Sequence, residues 1–167
     1  KEANQELNGA TIFAYPVSNP SRYGIVNFDE NSNKVINFVE KPANPKGNYA
    51  VTGLYFYDND VLEIAKNVKP SQRGEFEITS INQFYLTNNL LEVELMNQGM
   101  AWLDTGTFDS LYEASAFIHT LEKRQGIKVG CPEETAFKLG LINKNNLKIL
   151  SNELSKTSYG KYLKNLN

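Results

Sequence analysis

Six consecutive residues, Trp102-Leu103-Asp104-Thr105-Gly106-Thr107, set an aspartate between an apolar run and a helix cap. Read as a strand end, a glycine turn and a helix opened by Thr107, they put Asp104 where open α/β sheets bind ligands, at the carboxyl end of a strand beside a helix N-terminus. A carboxylate there suits Mg²⁺, and the helix N-terminus suits an anion. The same residues also make an ordinary turn that Asp104 merely fixes, and spacing alone leaves both readings open.

Three other groups of residues have chemical potential. Glu40-Lys41-Pro42 ends a short apolar run. Lys41 is a compact cation suited to phosphate, Glu40 can accept hydrogen bonds from sugar hydroxyls, and Pro42 is expected to keep Lys41 extended. An exposed ion pair at a strand end is the plainer alternative. Arg73-Gly74-Glu75-Phe76-Glu77-Ile78-Thr79 places an arginine and a glycine before an acidic helix start. The acids complement the helix dipole, and Arg73 is expected over the same cleft; a plain capped helix is again the alternative. Tyr23-Gly24 and Tyr55 offer aromatic faces and a close backbone approach to a sugar, although strand aromatics are commonly core. His119 and Cys131 have no catalytic partner in sequence.

These groups need a scaffold. Ala10 to Tyr15, Tyr23 to Phe28, Val35 to Val39 and Tyr49 to Tyr57 read as strands, the second and third as a hairpin about the polar loop Asp29 to Lys34. Tyr49 to Tyr57 is expected to be largely buried. Helices are expected over Val61 to Val68 and Glu77 to Asn88, with strands at Leu91 to Met96, Met100 to Leu103 and Ile127 to Val129. The longest helix starts at Thr107, carries the stripe Phe108, Leu111, Tyr112, Ser115, Ile118 and Leu121, and stops at Gly126. Helices over Glu133 to Leu139, Lys144 to Leu154 and Tyr159 to Leu166 complete an α/β chain with a mixed sheet, flanking helices and a C-terminal helical segment. The sequence divides into a core over residues 1–125 and a helical segment over 126–167.

Composition narrows the function. The chain has 167 residues, with one cysteine and one histidine, which excludes an intrachain disulfide and disfavours a histidine-based metal site. The net charge of −2 argues against bulk nucleic-acid binding. The longest uncharged stretch is too short and too polar for a membrane span, and the polar start, Lys1 to Gly9, has no signal-peptide core, so a cytoplasmic protein is expected. Basic residues are in excess from Thr120 onward, which suits two solvated faces, or an anion site or subunit contact in the C-terminal part.

Taken together, Gly-Ala-Thr-Ile-Phe-Ala-Tyr at 9–15, Arg-Tyr-Gly-Ile-Val at 22–26, Val-Glu-Lys-Pro at 39–42, Asn-Tyr-Ala-Val-Thr-Gly-Leu-Tyr-Phe-Tyr-Asp at 48–58, Arg-Gly-Glu-Phe-Glu-Ile-Thr at 73–79 and Trp-Leu-Asp-Thr-Gly-Thr at 102–107 resemble glucose-1-phosphate thymidylyltransferases. The resemblance extends through Lys-Val-Gly-Cys-Pro-Glu-Glu at 128–134. It implies the C-terminal part of a Rossmann-like nucleotidyltransferase fold. It also implies Mg²⁺-dependent transfer of a thymidylyl group from dTTP to glucose 1-phosphate, giving dTDP-glucose, a precursor in dTDP-rhamnose and polysaccharide synthesis. By this likeness Asp104 is one of two metal-holding aspartates. Lys41 and Arg73 hold the sugar phosphate. Glu40, Tyr55 and the backbones of Gly24 and Val51 hold the glucose beside Tyr23, and Trp102 walls the cleft.

The glycine-rich Gly-x-Gly-Thr-Arg phosphate loop of that family and its first metal aspartate are not in this sequence. The resemblance therefore implies that the nucleotide side is supplied by a missing N-terminal half or a partner chain, and that these 167 residues alone are inactive. Phe108 stands where many relatives have histidine and is expected to join the apolar stripe; Ser80 replaces a common aspartate and is expected to weaken a polar contact near the site. Lys128, Val129, Cys131 and Glu134 match the family's regulatory nucleotide site, and a homotetramer is commonly formed. A noncatalytic sugar-phosphate or nucleotide-binding module, and a UTP- or CTP-using enzyme, stay as alternatives.

Overall fold

The computed structural model describes residues 8–29 and 34–166, so the tip of the expected loop between the second and third strands lies outside the described residues. The chain forms two compact units, the first ending at Trp102 and the second starting at Leu103. That boundary precedes the long helix, whereas the sequence reading divides the chain after it.

The first unit is a five-stranded mixed sheet. Strands β1 (Ala10–Pro16), β2 (Gly24–Phe28), β3 (Val35–Glu40), β4 (Tyr49–Tyr57) and β5 (Leu91–Leu95) lie in the order β3-β2-β4-β1-β5. β2 and β3 form the expected antiparallel hairpin, β1 pairs antiparallel with β4, and β1 pairs parallel with β5. Ile12, Ala14, Val26 and Phe38 are the centre of one core, against which Val51, Tyr55 and Leu86 pack. Helices α1 (Val61–Lys66) and α2 (Ile78–Thr87) build a second core from Ile81, Tyr85 and Ala10 with Val61 and Ile64. Burial of these β-branched and aromatic side chains explains why sequence patterning locates the sheet well.

β4 has the bounds read from sequence but is less buried than expected. Its register against β1 jumps between Ile12↔Tyr55 and Ala14↔Val51, which inserts extra residues on β4. Thr52 Oγ1 bridges the irregularity to the Phe13 carbonyl at 3.2 Å, while Gly53 and Leu54 bulge to the exposed side.

Two expected strands do not form. Met100 to Leu103 is irregular, because aromatic packing rather than a ladder fixes it: Trp102 lies 6.0 Å from the Tyr15 ring and 5.1 Å from the Tyr23 ring. The Tyr15 hydroxyl also donates to the Met100 carbonyl at 3.2 Å. Ile127 and Lys128 are irregular and Val129 begins a turn, and the Val129 N–H is taken by the Glu122 carboxylate at 3.0 Å, unavailable to a ladder. α1 stops earlier than expected, at Lys66, where the Asn67 amide donates to the Glu63 carbonyl and its N–H closes a tight last turn.

The second unit holds α3 (Phe108–Gln125), α4 (Pro132–Lys138), α5 (Lys144–Glu153) and α6 (Ser158–Lys164). α3 begins with a capping box between Thr107 and Ser110 and ends at Gly126 with φ 67°, both as the sequence predicts. Its stripe is not buried as expected. Ala114 is its buried residue, and Phe108 is 94% exposed at the first helical position instead of joining a core. Cys131, Leu147 and Leu163 form the core of the following helices, with Phe137, Tyr159 and Tyr162 around them.

Candidate functional site

In the first unit, three sequence motifs converge through side-chain contacts. Glu40 ends β3, opposite Gly24 at the start of β2. Its Oε2 would stand 2.9 Å from a Cβ built on Gly24, so the glycine leaves room for the carboxylate in this rotamer. The Thr79 hydroxyl, in the first turn of α2, donates to the same Oε2 at 2.7 Å. Arg73 approaches the other oxygen, Nη1 to Oε1 3.9 Å. Glu40 thus faces both Thr79 and Arg73.

Arg73 is surrounded by carboxylates. Besides Glu40, it meets Glu75 at 2.8 Å and Glu77 at 3.3 Å, and Glu77 is steadied by the Ser71 hydroxyl at 3.0 Å. The sequence reading assigns these acids to the helix dipole. Glu77 is indeed the N-cap of α2, but its side chain makes no cap hydrogen bond and turns back to Ser71 and Arg73. Nη1 lies between Glu40 and Glu77 while Nη2 meets Glu75, so the guanidinium is held in place by carboxylates through charge-assisted contacts.

Lys41 is exposed and follows Glu40 with φ 41°. This corrects the expectation of an extended residue. The Lys41 N–H extends the hairpin by one rung to the Tyr23 carbonyl at 3.0 Å, and the chain must turn there before Pro42. A left-handed φ on a residue with a side chain is costly. Tyr23, whose carbonyl takes that bond, packs edge-on against Trp102, with Arg22 above its ring at 5.5 Å.

Tyr55 and Val51 lie on the core side of β4. Tyr55 stacks on Tyr57 at 5.9 Å, and burial followed by the Glu40 charge raises its phenol above the ordinary value. Its neighbourhood is thus both core and site. The β2–β4 ladder has its pairs at Ile25↔Ala50 and Val26↔Tyr49. Gly24 and Val51 are next in that register, at the point where the two strands part.

Asp104 belongs to the second unit and is half-buried. Both carboxylate oxygens would lie 3.4 Å from a Cβ on Gly106, so the glycine leaves them room. Among the described residues, no three His, Cys, Asp or Glu side chains gather as a metal cage. One carboxylate completed by substrate phosphates and water is nonetheless a usual Mg²⁺ arrangement, and Asp104 fits one ligand of such a site.

The proposed regulatory residues are engaged within the second unit. Lys128 Nζ and the Val129 N–H both bind the Glu122 carboxylate. Buried Cys131 lies 3.1 Å from the Tyr159 hydroxyl, which donates to Glu133. Glu134 pairs with Lys138 at 2.6 Å and accepts from the Tyr162 hydroxyl at 2.6 Å. These two glutamate–tyrosine pairs tie α4 to α6. Tyr159 holds Glu133, and Lys138 with Tyr162 holds Glu134, below the ordinary glutamate value of 4.5. A depressed folded-state value gives stabilisation that is complete above the unfolded value and lost as pH falls through the folded one. Thermal melts of the chain between about pH 6 and pH 3 should lose stability on the acid side. The Glu133→Gln/Glu134→Gln double variant should show a shallower slope there, and an unchanged slope would remove these pairs as its cause.

Sequence reasoning missed Thr79, Ser71 and Tyr15 as parts of the site. Thr79 stood within a noted motif, but nothing local indicates a partner 39 residues away.

Known proteins resemble this chain over most of its length. The family model for nucleotidyl transferase matches residues 1–120. The chain belongs to the nucleotidyl transferase family. Among curated members, it is 54% identical over 159 residues to glucose-1-phosphate thymidylyltransferase of Mycolicibacterium smegmatis, covering 95% of this chain and 55% of that protein. It is 46% identical over 163 residues to the enzyme of that name from Neisseria meningitidis, covering 98% of this chain and 56% of the relative. The chain therefore spans about half the length of the relatives it matches. A Bacillus anthracis protein assigned as a glucose-1-phosphate thymidylyltransferase, solved with sucrose, superposes with a TM-score of 0.60 at 42% identity, over 70% of this chain and 45% of that one. UDP-glucose pyrophosphorylase bound to UDP-glucose matches with a TM-score of 0.61 at 21% identity, over 71% and 47%, and supports the fold alone. The family's α/β architecture, with a mixed sheet and flanking helices, agrees with the fold read from sequence.

Proposed function

We propose that this chain supplies the sugar side of an enzyme that transfers a thymidylyl group from dTTP to glucose 1-phosphate, releasing pyrophosphate and dTDP-glucose. The observation that carries the reading is the convergence of Gly24, Glu40 and Arg73 from three separated motifs, in a chain about half identical to enzymes of that name. In this reading Glu40 accepts from glucose hydroxyls, with Tyr55 and the backbones of Gly24 and Val51 alongside. Lys41 and Arg73 neutralise the sugar phosphate, and Tyr23 and Trp102 wall the sugar. The phosphate oxygen attacks the α-phosphorus in line, so the work of these residues is positioning and charge neutralisation.

Asp104 would hold Mg²⁺, which when bound offsets negative charge on the reacting phosphates. The nucleotide side comes from outside the 167 residues, and this polypeptide alone is expected to be inactive. Self-association belongs to the same reading, supported by the exposed Leu139, Leu141 and Ile149 of the second unit.

The test is Lys41→Ala in the full-length transferase. Loss of a charged phosphate contact should raise KM for glucose 1-phosphate roughly tenfold to a hundredfold, with KM for dTTP nearly unchanged. An unchanged KM for the sugar phosphate would contradict the role.

A further inference from the structure

We propose that Thr79 is the positioning residue that fixes the Glu40 carboxylate in its substrate-ready orientation, an inference that rests on the reading of Glu40 as a sugar-binding group. α2 meets the edge strand β3 through two polar side chains one helical turn apart. Thr79 Oγ1 donates to Glu40 Oε2 at 2.7 Å, and Gln83 Oε1 accepts from the Phe38 N–H at 3.4 Å. Four helix residues advance about 6 Å and two strand residues about 6.7 Å, so the 79/83 pair on α2 matches the 40/38 pair on β3 in length. Gln83 docks the helix on the strand backbone; Thr79 reaches the side chain that ends the strand.

The geometry around Glu40 gives Thr79 a defined task. A glutamate has three rotatable side-chain bonds, and ordering it during binding costs affinity. Here Gly24 bounds the carboxylate on one side and Arg73 stands 3.9 Å from Oε1 on another. The close directional hydrogen bond to Oε2 comes from Thr79. The β-branch of threonine restricts its χ1. Its position at the second residue of α2 leaves the hydroxyl no carbonyl of a preceding helical turn to bind. One oxygen is thereby engaged by the protein, and the other is turned to the Arg73 side.

The experiment compares four variants of the full-length transferase by steady-state kinetics and melting temperature. Thr79→Val keeps shape and removes the donor. It should raise KM for glucose 1-phosphate roughly tenfold, the scale of one hydrogen bond to a charged group, while KM for dTTP and the melting temperature change little. Thr79→Ser should return KM to within about threefold of wild type. Gln83→Ala, which loosens helix docking without touching Glu40, should not reproduce the rise. The inference is overturned if Thr79→Val leaves KM unchanged, if serine fails to rescue, or if Gln83→Ala raises KM equally. Glu40→Ala separates the two levels. If it raises KM and Thr79→Val does not, only the positioning role falls; if Glu40→Ala has no effect, the sugar-binding reading of Glu40 falls with it.

Discussion

Asp104→Asn in the full-length transferase is expected to lower kcat by about two to three orders of magnitude. Asparagine has nearly the shape of aspartate, so the turn before α3 and the capping box of Thr107 and Ser110 should persist. What changes is charge: a neutral amide is a poor ligand for a hard divalent cation, and the phosphates keep repulsion that the metal would offset. Gly106 leaves the carboxylate room that the substitution does not fill. The loss should therefore appear in kcat and in the Mg²⁺ concentration needed for half-maximal rate, and only weakly in KM for glucose 1-phosphate. A variant within about threefold of wild-type kcat would remove Asp104 from the metal role.

A large stability effect is expected at Gly160. This residue lies in the first turn of α6, is buried, and receives the Thr157 cap on its N–H at 3.0 Å. A Cβ there would stand 2.1 Å from the Leu154 carbonyl oxygen and 2.4 Å from its carbon, both backbone atoms at the end of α5. No rotamer change relieves a clash with backbone, so α6 must shift and the core of Cys131, Leu147 and Leu163 must open. Gly160→Ala should cost about 3 kcal/mol, the upper range for overpacking. Ala is otherwise the better helix former by about 1 kcal/mol, so propensity alone predicts the opposite sign. Chemical denaturation of the chain, followed by far-ultraviolet circular dichroism, distinguishes the two: an unchanged or raised midpoint would refute the backbone contact.

Much of this arrangement is legible along the chain, for identifiable reasons. β4 and the hairpin are dense in β-branched and aromatic residues, and the limits of α3 are set by Thr107 and Gly126, whose local chemistry is self-contained. Glu40, Lys41 and Arg73 stand out because charged residues beside proline and glycine at element ends have few structural duties. Other features depend on partners far away in sequence. The Met100 to Leu103 run has strand-like composition, but Trp102 is captured by Tyr15 and Tyr23. Lys41 turns left-handed just after its N–H makes the last hairpin bond to the Tyr23 carbonyl, against the local preference before proline. Phe108 lies on an apolar stripe, yet a stripe states only which face could be buried. Ser80, expected near the site, instead lines an open groove of about 460 Å³ with Glu63, Asn67 and Phe84, while its neighbour Thr79 points to Glu40. One residue of helix rotation, about 100°, separates those two fates.

The sugar half of a thymidylyl-transfer site, proposed for this chain, has a chemical readout in its two products. The most direct measurement is ³¹P NMR of the full-length protein with Mg²⁺, dTTP and glucose 1-phosphate. Joint appearance of dTDP-glucose and pyrophosphate is expected, dependent on glucose 1-phosphate and strongly reduced by Lys41→Ala at low sugar-phosphate concentration. No sugar-nucleotide product from dTTP under these conditions, or product formation indifferent to Lys41, would contradict it.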